Sequence, residues 1–361
     1  MARGNKKKRK RKKNEEVWDL ETVVPGEDPS EVAHMVQFFL CQLRWQFGSF
    51  GDFSEFDAEM DRIGGSEDVR SCGGLMETFF RGPARGDRWV PWHTTTCEQE
   101  LFLMRRIRTL KSVSEAERFC LCCAFSACRC IPVWETCVLP NIEPPVTPEF
   151  FESSKFLEGL FEFRKRGNKL HTSAFNCYPP RGASGDEFVR FIASRHVHFA
   201  NIGVAAFPLI TGNAATLDAL DKCFRSFDRV GPTMSKVLLI TTHLWYPELG
   251  ILRSGCEVGD GARQAFEFLY PDGFSDVINR RDVLQHLYDY LTTTPVVDQR
   301  LPRMIEWVCH KTRARFPEIP EGAIADRMTI YDLQVQLCEW RKFRRAVDPK
   351  RTIKKGTILS L

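Results

Sequence analysis

The sequence lacks any run of 18 apolar residues, so it predicts no membrane-spanning segment. It also lacks the local signatures of several enzyme classes: the Walker A motif, a Rossmann Gly-x-Gly-x-x-Gly after a strand, His-Glu-x-x-His, Gly-x-Ser-x-Gly and the kinase catalytic-loop triplet. These absences disfavour an ATP-dependent kinase that acts through this chain alone. Alternating apolar runs are few, and the best of them, 237–241, lies inside a helical pattern. We therefore predict a mainly α fold.

No apolar segment follows the basic N-terminus, so no secretory signal is predicted and the fourteen cysteines are expected to stay reduced. Six of them lie close together, at Cys120, Cys122, Cys123, Cys128, Cys130 and Cys137. Their spacing matches neither a zinc knuckle nor an iron–sulfur loop, and no partner pair of ligands follows downstream. We expect these cysteines to be small buried hydrophobes, with metal binding as the alternative.

Positive charge is concentrated at the two ends of the chain. Residues 1–13 contain nine Lys and Arg residues and no acidic residue, and residues 341–361 contain eight Lys and Arg residues and one acidic residue. The segment between these two ends therefore has a net charge of about −12. The first basic run consists of Lys6, Lys7, Lys8, Arg9, Lys10, Arg11, Lys12 and Lys13. It predicts a nucleic-acid tail, or a nuclear localisation signal that an import receptor binds, and hence a nuclear protein. A solubilising tail is the alternative.

The chain divides into four predicted segments. Residues 1–27 are expected to form a disordered basic arm, 28–150 an N-terminal helical region of unknown role, 151–346 a second helical domain and 347–361 a basic tail. The boundary falls at 138–150, which contains four prolines. Helices are predicted over 187–201, 214–228, 233–245, 281–292, 299–315 and 329–345, and also over 29–48, over 96–110 and after the capping box formed by Ser114 and Glu117.

The strongest candidate site is the charged cluster Arg225, Asp228 and Arg229. On one helix Arg225 and Arg229 are a turn apart, so their guanidinium groups could grip a phosphate or a carboxylate. Asp228 would stay ionised beside them and could orient an arginine, stabilise a cation or accept a proton. Arg195 and His196 could join the cluster from the preceding helix. A set of salt bridges that ties helices together is the alternative.

Three further stretches could contact phosphate. Residues 229–236 compare with a helix–hairpin–helix turn, in which N–H groups at a helix start bind a DNA phosphate, or they form a plain helix break. The basic, turn-rich segment 164–186 suits a loop over a nucleic-acid backbone or an ordinary surface loop. The basic helix face at Arg105, Arg106, Arg108 and Lys111 either contacts phosphate or is simply solvated.

Three motifs in residues 187–346 resemble those of a known family. A Phe-x-x-Phe-x-x-x-Arg-His pattern is matched by Phe188, Phe191, Arg195 and His196. The second half of a longer motif is matched by Phe224, Arg225, Asp228 and Arg229, and a Leu-Cys-Glu segment by Leu337, Cys338 and Glu339, with Lys342 shortly after. In these residues the sequence is similar to the helical domain of 5-hydroxymethyl-deoxyuridine DNA kinases, in the alpha-glutamyl/putrescinyl thymine pyrophosphorylase family. Gly231, Pro232 and Arg341 depart from the family pattern.

The resemblance implies a helical domain like that of helix–hairpin–helix DNA glycosylases. It also implies double-stranded DNA as partner and a role in hypermodification of a pyrimidine base of the 5-hydroxymethyluracil type. The implied catalytic residues are Asp228, Glu339, Arg225 and Arg229, and the implied binding residues are Arg195, His196, Phe224 and Lys342. No cofactor is identified, and a partner kinase or transferase would supply nucleotide binding. The alternatives are a non-catalytic nucleic-acid-binding module and a helical adaptor.

Overall fold

The computed structural model describes residues 29–48, 51–71, 94–172, 185–212, 214–253, 255–270, 280–293 and 298–347. Within these ranges the chain forms helices and no strand, which confirms the predicted mainly α fold. The helices are α1 (Pro29–Gly48), α2 (Phe53–Ile63), α3 (Glu67–Ser71), α4 (Glu98–Phe102), α5 (Glu115–Phe125), α6 (Ile131–Val133), α7 (Ser154–Lys165), α8 (Gly185–Thr211), α9 (Leu217–Arg225), α10 (Pro232–Trp245), α11 (Asp260–Leu269), α12 (Arg280–Thr293), α13 (Arg300–Arg315) and α14 (Ile330–Val347). None of them combines the length and the apolar character that a membrane span requires.

Short helical turns connect several of these elements. Leu103–Ile107 and Trp134–Val138 are π-helical, and Thr94–Thr96, Leu139–Asn141, Pro148–Glu152, Pro247–Leu249 and Ile251–Arg253 are 3₁₀ turns. The predicted basic arm 1–27, the basic tail after position 347 and residues 173–184 of the predicted loop lie outside the described residues.

Side-chain caps fix the starts of two helices as the sequence predicts. The Glu117 carboxylate accepts from the Ser114 backbone N–H at 2.8 Å, and the Ser114 hydroxyl accepts from the Glu117 N–H at 3.3 Å. At the start of α14, Asp332 accepts from the Thr329 hydroxyl at 2.6 Å, and that hydroxyl accepts from the Asp332 N–H at 3.1 Å. These bonds satisfy N–H groups that the first helical turn leaves unpaired.

Two helices around the candidate site differ from their predicted bounds. α8 continues to Thr211, ten residues beyond the predicted end, because buried side chains such as Ile202, Ala206 and Ile210 extend its apolar stripe. Pro208 falls near its C-terminal end, where a missing N–H disturbs little of the helix. α9 ends at Arg225 rather than at the predicted position 228, and the chain then turns.

α8 lies at the centre of one group of helices. It packs against α5, α7, α9 and the turn Pro148–Glu152. Gly203 allows the close approach of α5, because a Cβ atom at this position would lie only 2.8 Å from the Cys120 Cα atom. The six clustered cysteines of the sequence lie in the buried core of this group, as predicted, and burial raises the pKa of the Cys122 and Cys123 thiols well above their usual value.

A second group forms around α1 and α14. α1 packs against α2, α13 and α14, and α14 packs against α11 and α12. Buried hydrophobic residues from both groups, from Val32 to Phe343, form one continuous cluster. Helices on both sides of position 150 therefore share the same core.

Candidate functional site

The turn after α9 separates two residues of the predicted cluster. Arg229 has a φ of 60°, a left-handed conformation that reverses the chain after the helix has ended. Arg225 and Arg229 therefore do not share a helix face as the sequence predicted. They have different partners: Arg225 pairs with Asp221 on α9, and Arg229 lies over the Phe191 ring on α8.

Two predicted site residues, Arg195 and Arg229, lie over the ring of Phe191, and a third, Asp228, is beside Arg229. The guanidinium carbons of Arg195 and Arg229 each lie 5.8 Å from the centre of this ring. Asp228 Oδ2 lies 3.4 Å from Arg229 Nε, and the two side chains are 86% and 61% exposed. A hydrogen bond fixes the orientation of the Arg195 side chain, because its Nε donates to the Ala127 carbonyl at 3.1 Å. Two cations, Arg195 and Arg229, and one carboxylate, Asp228, therefore lie near one another at the protein surface.

His196 lies in the core rather than at a binding surface. Its Nδ1 is 2.8 Å from the Ile192 carbonyl and its Nε2 is 3.5 Å from the Cys128 sulfur. Aromatic rings enclose it, with the centres of Phe151 and Phe156 at 5.5 and 5.3 Å. Burial lowers the pKa of His196 to about 4, so the imidazole is neutral in the folded protein. Phe224, another predicted binding residue, is also fully buried.

Glu339 and Lys342 lie together in a separate environment on α14. Glu339 is 4% exposed and forms an ion pair with Lys342. Its charge is one of those that raise the pKa of the half-buried Cys97, although desolvation of the thiol is the largest cause. No contact among the described residues joins Glu339 to Arg225, Asp228 or Arg229.

Arg225 belongs to a polar network that the sequence did not indicate. Its Nε donates to Asp221 at 3.0 Å, and the Ser235 hydroxyl donates to the same carboxylate at 2.5 Å. The Glu257 Oε1 atom lies 3.5 Å from an Nη2 nitrogen of both Arg225 and Arg281. The network thus connects α9, the start of α10, the segment before α11 and the start of α12.

A small pocket opens beside this network. We name it the Lys236 pocket, and its lining residues are Leu217, Asp221, Pro232, Lys236, Leu239, Glu257, Arg281 and Tyr331. The Lys236 ammonium group donates to the side-chain oxygen of Gln334 on α14. Burial raises the pKa of Tyr331 above its ordinary value.

Arginine–phenylalanine contacts continue along α7 and α8 beyond the Phe191 ring. The Arg164 guanidinium lies 5.1 Å from the centre of Phe188, and that of Arg190 lies 5.6 Å from the centre of Phe161. The Phe188 and Phe191 rings stack with centres 6.5 Å apart, which connects the two sets of contacts. Lys165, Arg166 and Lys169 are exposed where α7 ends.

We refer to this region as the basic–aromatic surface. It consists of Arg164, Lys165, Arg166, Lys169, Arg190, Arg195 and Arg229 with Phe161, Phe188 and Phe191. In the sequence, the parts of this surface belong to two separate features: the basic segment after position 164 and the Phe-x-x-Phe-x-x-x-Arg-His pattern. Only the packing of α7 against α8 brings those parts together.

The other basic face that the sequence indicated is partly engaged with the protein itself. Arg105 forms an ion pair with Glu318 at 2.6 Å, and the Arg108 guanidinium lies 5.8 Å from the centre of a Trp245 ring. Arg106 and Lys111 remain exposed. This face therefore offers fewer cations to a ligand than the basic–aromatic surface does.

Within the described ranges no group of three or more His, Cys, Asp or Glu side chains is placed to hold a metal ion. No family model, curated protein or solved structure matches this chain. The family similarity noted in the sequence rests on its motif residues alone.

Proposed function

We propose that this protein binds nucleic acid, specifically duplex DNA, through the basic–aromatic surface. The observation that carries the proposal is the set of arginine–phenylalanine contacts along α7 and α8. A protein that holds the DNA backbone needs several cations on one face, because each phosphate contact adds to affinity independently of sequence.

Few carboxylates compete for these cations. Glu162 Oε1 lies 3.7 Å from the Lys165 nitrogen, and Asp228 lies beside Arg229, but both pairs are largely exposed. Exposed ion pairs of this kind are weak and easily exchanged. The part of the chain that the structure describes contains no ion pair to Arg164, Arg166, Lys169, Arg190 or Arg195. Their charge is therefore available to phosphates.

The aromatic rings support a backbone contact rather than base stacking. Phe161, Phe188 and Phe191 are half-buried, and arginine guanidinium groups lie over their faces. A guanidinium group over a ring keeps its edge N–H groups free for hydrogen bonds and loses less conformational freedom when it binds. This arrangement favours the phosphates of a duplex over unstacked bases.

Neutralising the exposed cations tests the proposal. The test variant of the full chain carries Lys165→Gln, Arg166→Gln, Lys169→Gln and Arg190→Gln, and a matched control carries Lys111→Gln, Arg253→Gln, Arg303→Gln and Arg315→Gln. We expect the test variant to bind a 20-base-pair duplex at least about tenfold more weakly at 0.15 M salt, measured by fluorescence anisotropy. The control should keep most of the affinity. An equal loss in both variants would contradict a localised surface.

A second function, modification of a pyrimidine base in that DNA, is favoured by one observation. The guanidinium groups of Arg195 and Arg229 lie over the Phe191 ring, and the exposed carboxylate of Asp228 pairs with Arg229. In this proposal the domain has the helix–hairpin–helix glycosylase type of fold and acts in the nucleus, with a partner kinase or transferase. Both the fold and the location follow from the resemblance and from the basic run Lys6 to Lys13.

Asp228→Asn tests this second function. Asp228 is 86% exposed, so the substitution should leave the free energy of unfolding unchanged while it removes turnover of duplexes that contain 5-hydroxymethyluracil or its phosphorylated form. A duplex with thymine at the same position is the substrate control. Turnover that Asp228→Asn does not reduce would remove Asp228 from the mechanism.

A further inference from the structure

We propose that Arg341 and Arg345, near the C-terminal end of α14, form a second binding site for the phosphate groups of nucleic acid. The two arginines are four residues apart on one helix, so their side chains are neighbours on its surface. Neither belongs to the basic–aromatic surface. The inference rests on the proposed DNA binding only for the identity of the ligand, because contacts of α14 define the site.

The last two turns of α14 contain four cations, and two of them already have carboxylate partners within the protein. Lys342 forms an ion pair with Glu339. The Arg344 guanidinium donates two hydrogen bonds to the Glu31 carboxylate on α1, at 2.8 and 3.0 Å. These two cations therefore serve the fold, and their charges are compensated.

The other two cations, Arg341 and Arg345, have no such partner. The Arg341 Nη1 nitrogen donates to the side-chain oxygen of Gln264 on α11 at 2.6 Å, and this partner carries no charge. Within the described ranges Arg345 makes no hydrogen bond and no ion pair, and the Nε nitrogens of both arginines are buried without a hydrogen-bond partner. Two guanidinium groups are thus held near each other with no carboxylate bonded to either.

The electrostatic environment of Arg345 shows what the pair lacks. Burial lowers the pKa of Arg345, the charge of Arg341 lowers it further, and the charge of Glu267 opposes these effects only in part. Glu267 lies on α11, is exposed and forms no ion pair with Arg345 within the described ranges. An anion bonded to both guanidinium groups would offset their mutual repulsion and accept hydrogen bonds that the protein does not accept.

The sequence after α14 favours an extended polyanion over a single small anion. Beyond position 347 it adds four cations and one acidic residue: Lys350, Arg351, Lys354, Lys355 and Asp348. A guanidinium group matches the geometry of a phosphate, and each phosphate contact adds to affinity for a nucleic acid. A nucleic-acid backbone offers phosphates at regular intervals, so it can contact the arginine pair and the cations that follow it in the chain.

Binding of a 20-base-pair duplex by the full chain tests the proposal. The test variant carries Arg341→Gln and Arg345→Gln. The matched control carries Arg303→Gln and Arg315→Gln, two exposed arginines of α13, one of them also in the last turn of its helix. The logarithm of the binding constant is measured against the logarithm of salt concentration. We expect the slope to become shallower by about 1.8 in the test variant, because each phosphate contact contributes about 0.9. The affinity at 0.15 M salt should fall at least about tenfold, and the control should keep the wild-type slope.

A wild-type slope in the test variant would overturn the proposal, and so would an equal change in test variant and control. Circular dichroism shows whether each variant is folded. If the double variant fails to fold, Arg345→Gln alone decides, because it removes no hydrogen bond among the described residues and should still make the slope shallower by about 0.9.

The same measurement separates this site from the basic–aromatic surface. If the variant with Lys165, Arg166, Lys169 and Arg190 changed to Gln keeps the wild-type slope while the α14 variant does not, DNA contacts α14 and the basic–aromatic surface is wrong. The reverse pattern would reject the α14 site and leave the basic–aromatic surface in place.

Discussion

His196 and His243 make stability depend on pH at the level of single residues. Burial lowers the pKa of each imidazole to about 4, and a backbone hydrogen bond only partly opposes this effect. In an unfolded chain a histidine titrates near pH 6.5. Because the unfolded state binds the proton more tightly, acidification favours unfolding. The stabilising effect of the neutral side chains is complete above about pH 6.5 and is lost progressively as the pH falls towards 4.

We predict that the free energy of unfolding decreases between about pH 6.5 and pH 5 by up to roughly 1.4 kcal/mol per pH unit for each of the two histidines. Urea denaturation at several pH values in this range measures the slope, and carboxylates contribute little to it there. His196→Leu removes one of the two imidazoles that take up a proton on unfolding, so the slope should decrease by the contribution of one histidine. The replaced side chain lies entirely in the core. A slope that is the same in wild type and variant would contradict the account.

The contacts of the predicted site residues depend on packing that the sequence does not show. Arg195 and Arg229, predicted from the sequence as site residues, lie over one ring, and Asp228 pairs with Arg229. The separation of Arg225 from Arg229 was not foreseeable, because it depends on a left-handed backbone conformation at a non-glycine residue. The partners of Arg225, namely Asp221 and Glu257, depend on how α9, α10 and the segment before α11 pack together.

The contact between α5 and α8 fixes the position of the helix that carries Phe188, Phe191 and Arg195 of the basic–aromatic surface. Gly203 lies in this contact, where a Cβ atom would be 2.8 Å from the Cys120 Cα atom and 3.1 Å from the Cys123 Cβ atom. Backbone atoms of a packed helix cannot move aside at low cost. Even one methyl group here must push the two helices apart.

Gly203→Ala is therefore expected to destabilise the protein by about 1–3 kcal/mol. Gly159, inside α7, is the matched control, because a Cβ atom there would be 3.6 Å from its nearest neighbour, an ordinary contact. Gly159→Ala should be neutral or stabilise by up to about 1 kcal/mol through its higher helix propensity. Thermal or urea unfolding measures both changes, and equal effects of the two substitutions would contradict the close packing.

Helix starts were predicted better than helix ends for a physical reason. The start of a helix depends on local hydrogen bonds, such as those of Ser114 with Glu117 and of Thr329 with Asp332. The three-residue spacing of these capping residues predicts such bonds from the sequence. Ends depend on tertiary contacts. α8 runs on to Thr211 because its buried face continues, and α9 stops at Arg225 because the chain turns back to α8. Neither cause is visible in a short window of sequence.

For the whole molecule, the distribution of charge determines how DNA binding should respond to salt. The chain has a formal net charge of +4, yet its middle carries about −12 while residues 1–13 carry nine cations. An acidic body would repel DNA unless some of its positive charge were gathered on one face, and seven Lys and Arg side chains lie together on the basic–aromatic surface. The basic ends contribute to affinity as well, so affinity alone does not identify the surface.

The salt dependence of DNA binding shows whether the basic–aromatic surface contacts phosphates. The logarithm of the binding constant is measured against the logarithm of salt concentration for the wild type and for the variant with Lys165, Arg166, Lys169 and Arg190 changed to Gln, both with intact basic ends. If these four cations contact phosphates, the slope becomes shallower by about 3 to 4 in the variant, because each contact contributes about 0.9. An identical slope in the two proteins would show that the basic–aromatic surface does not contact DNA.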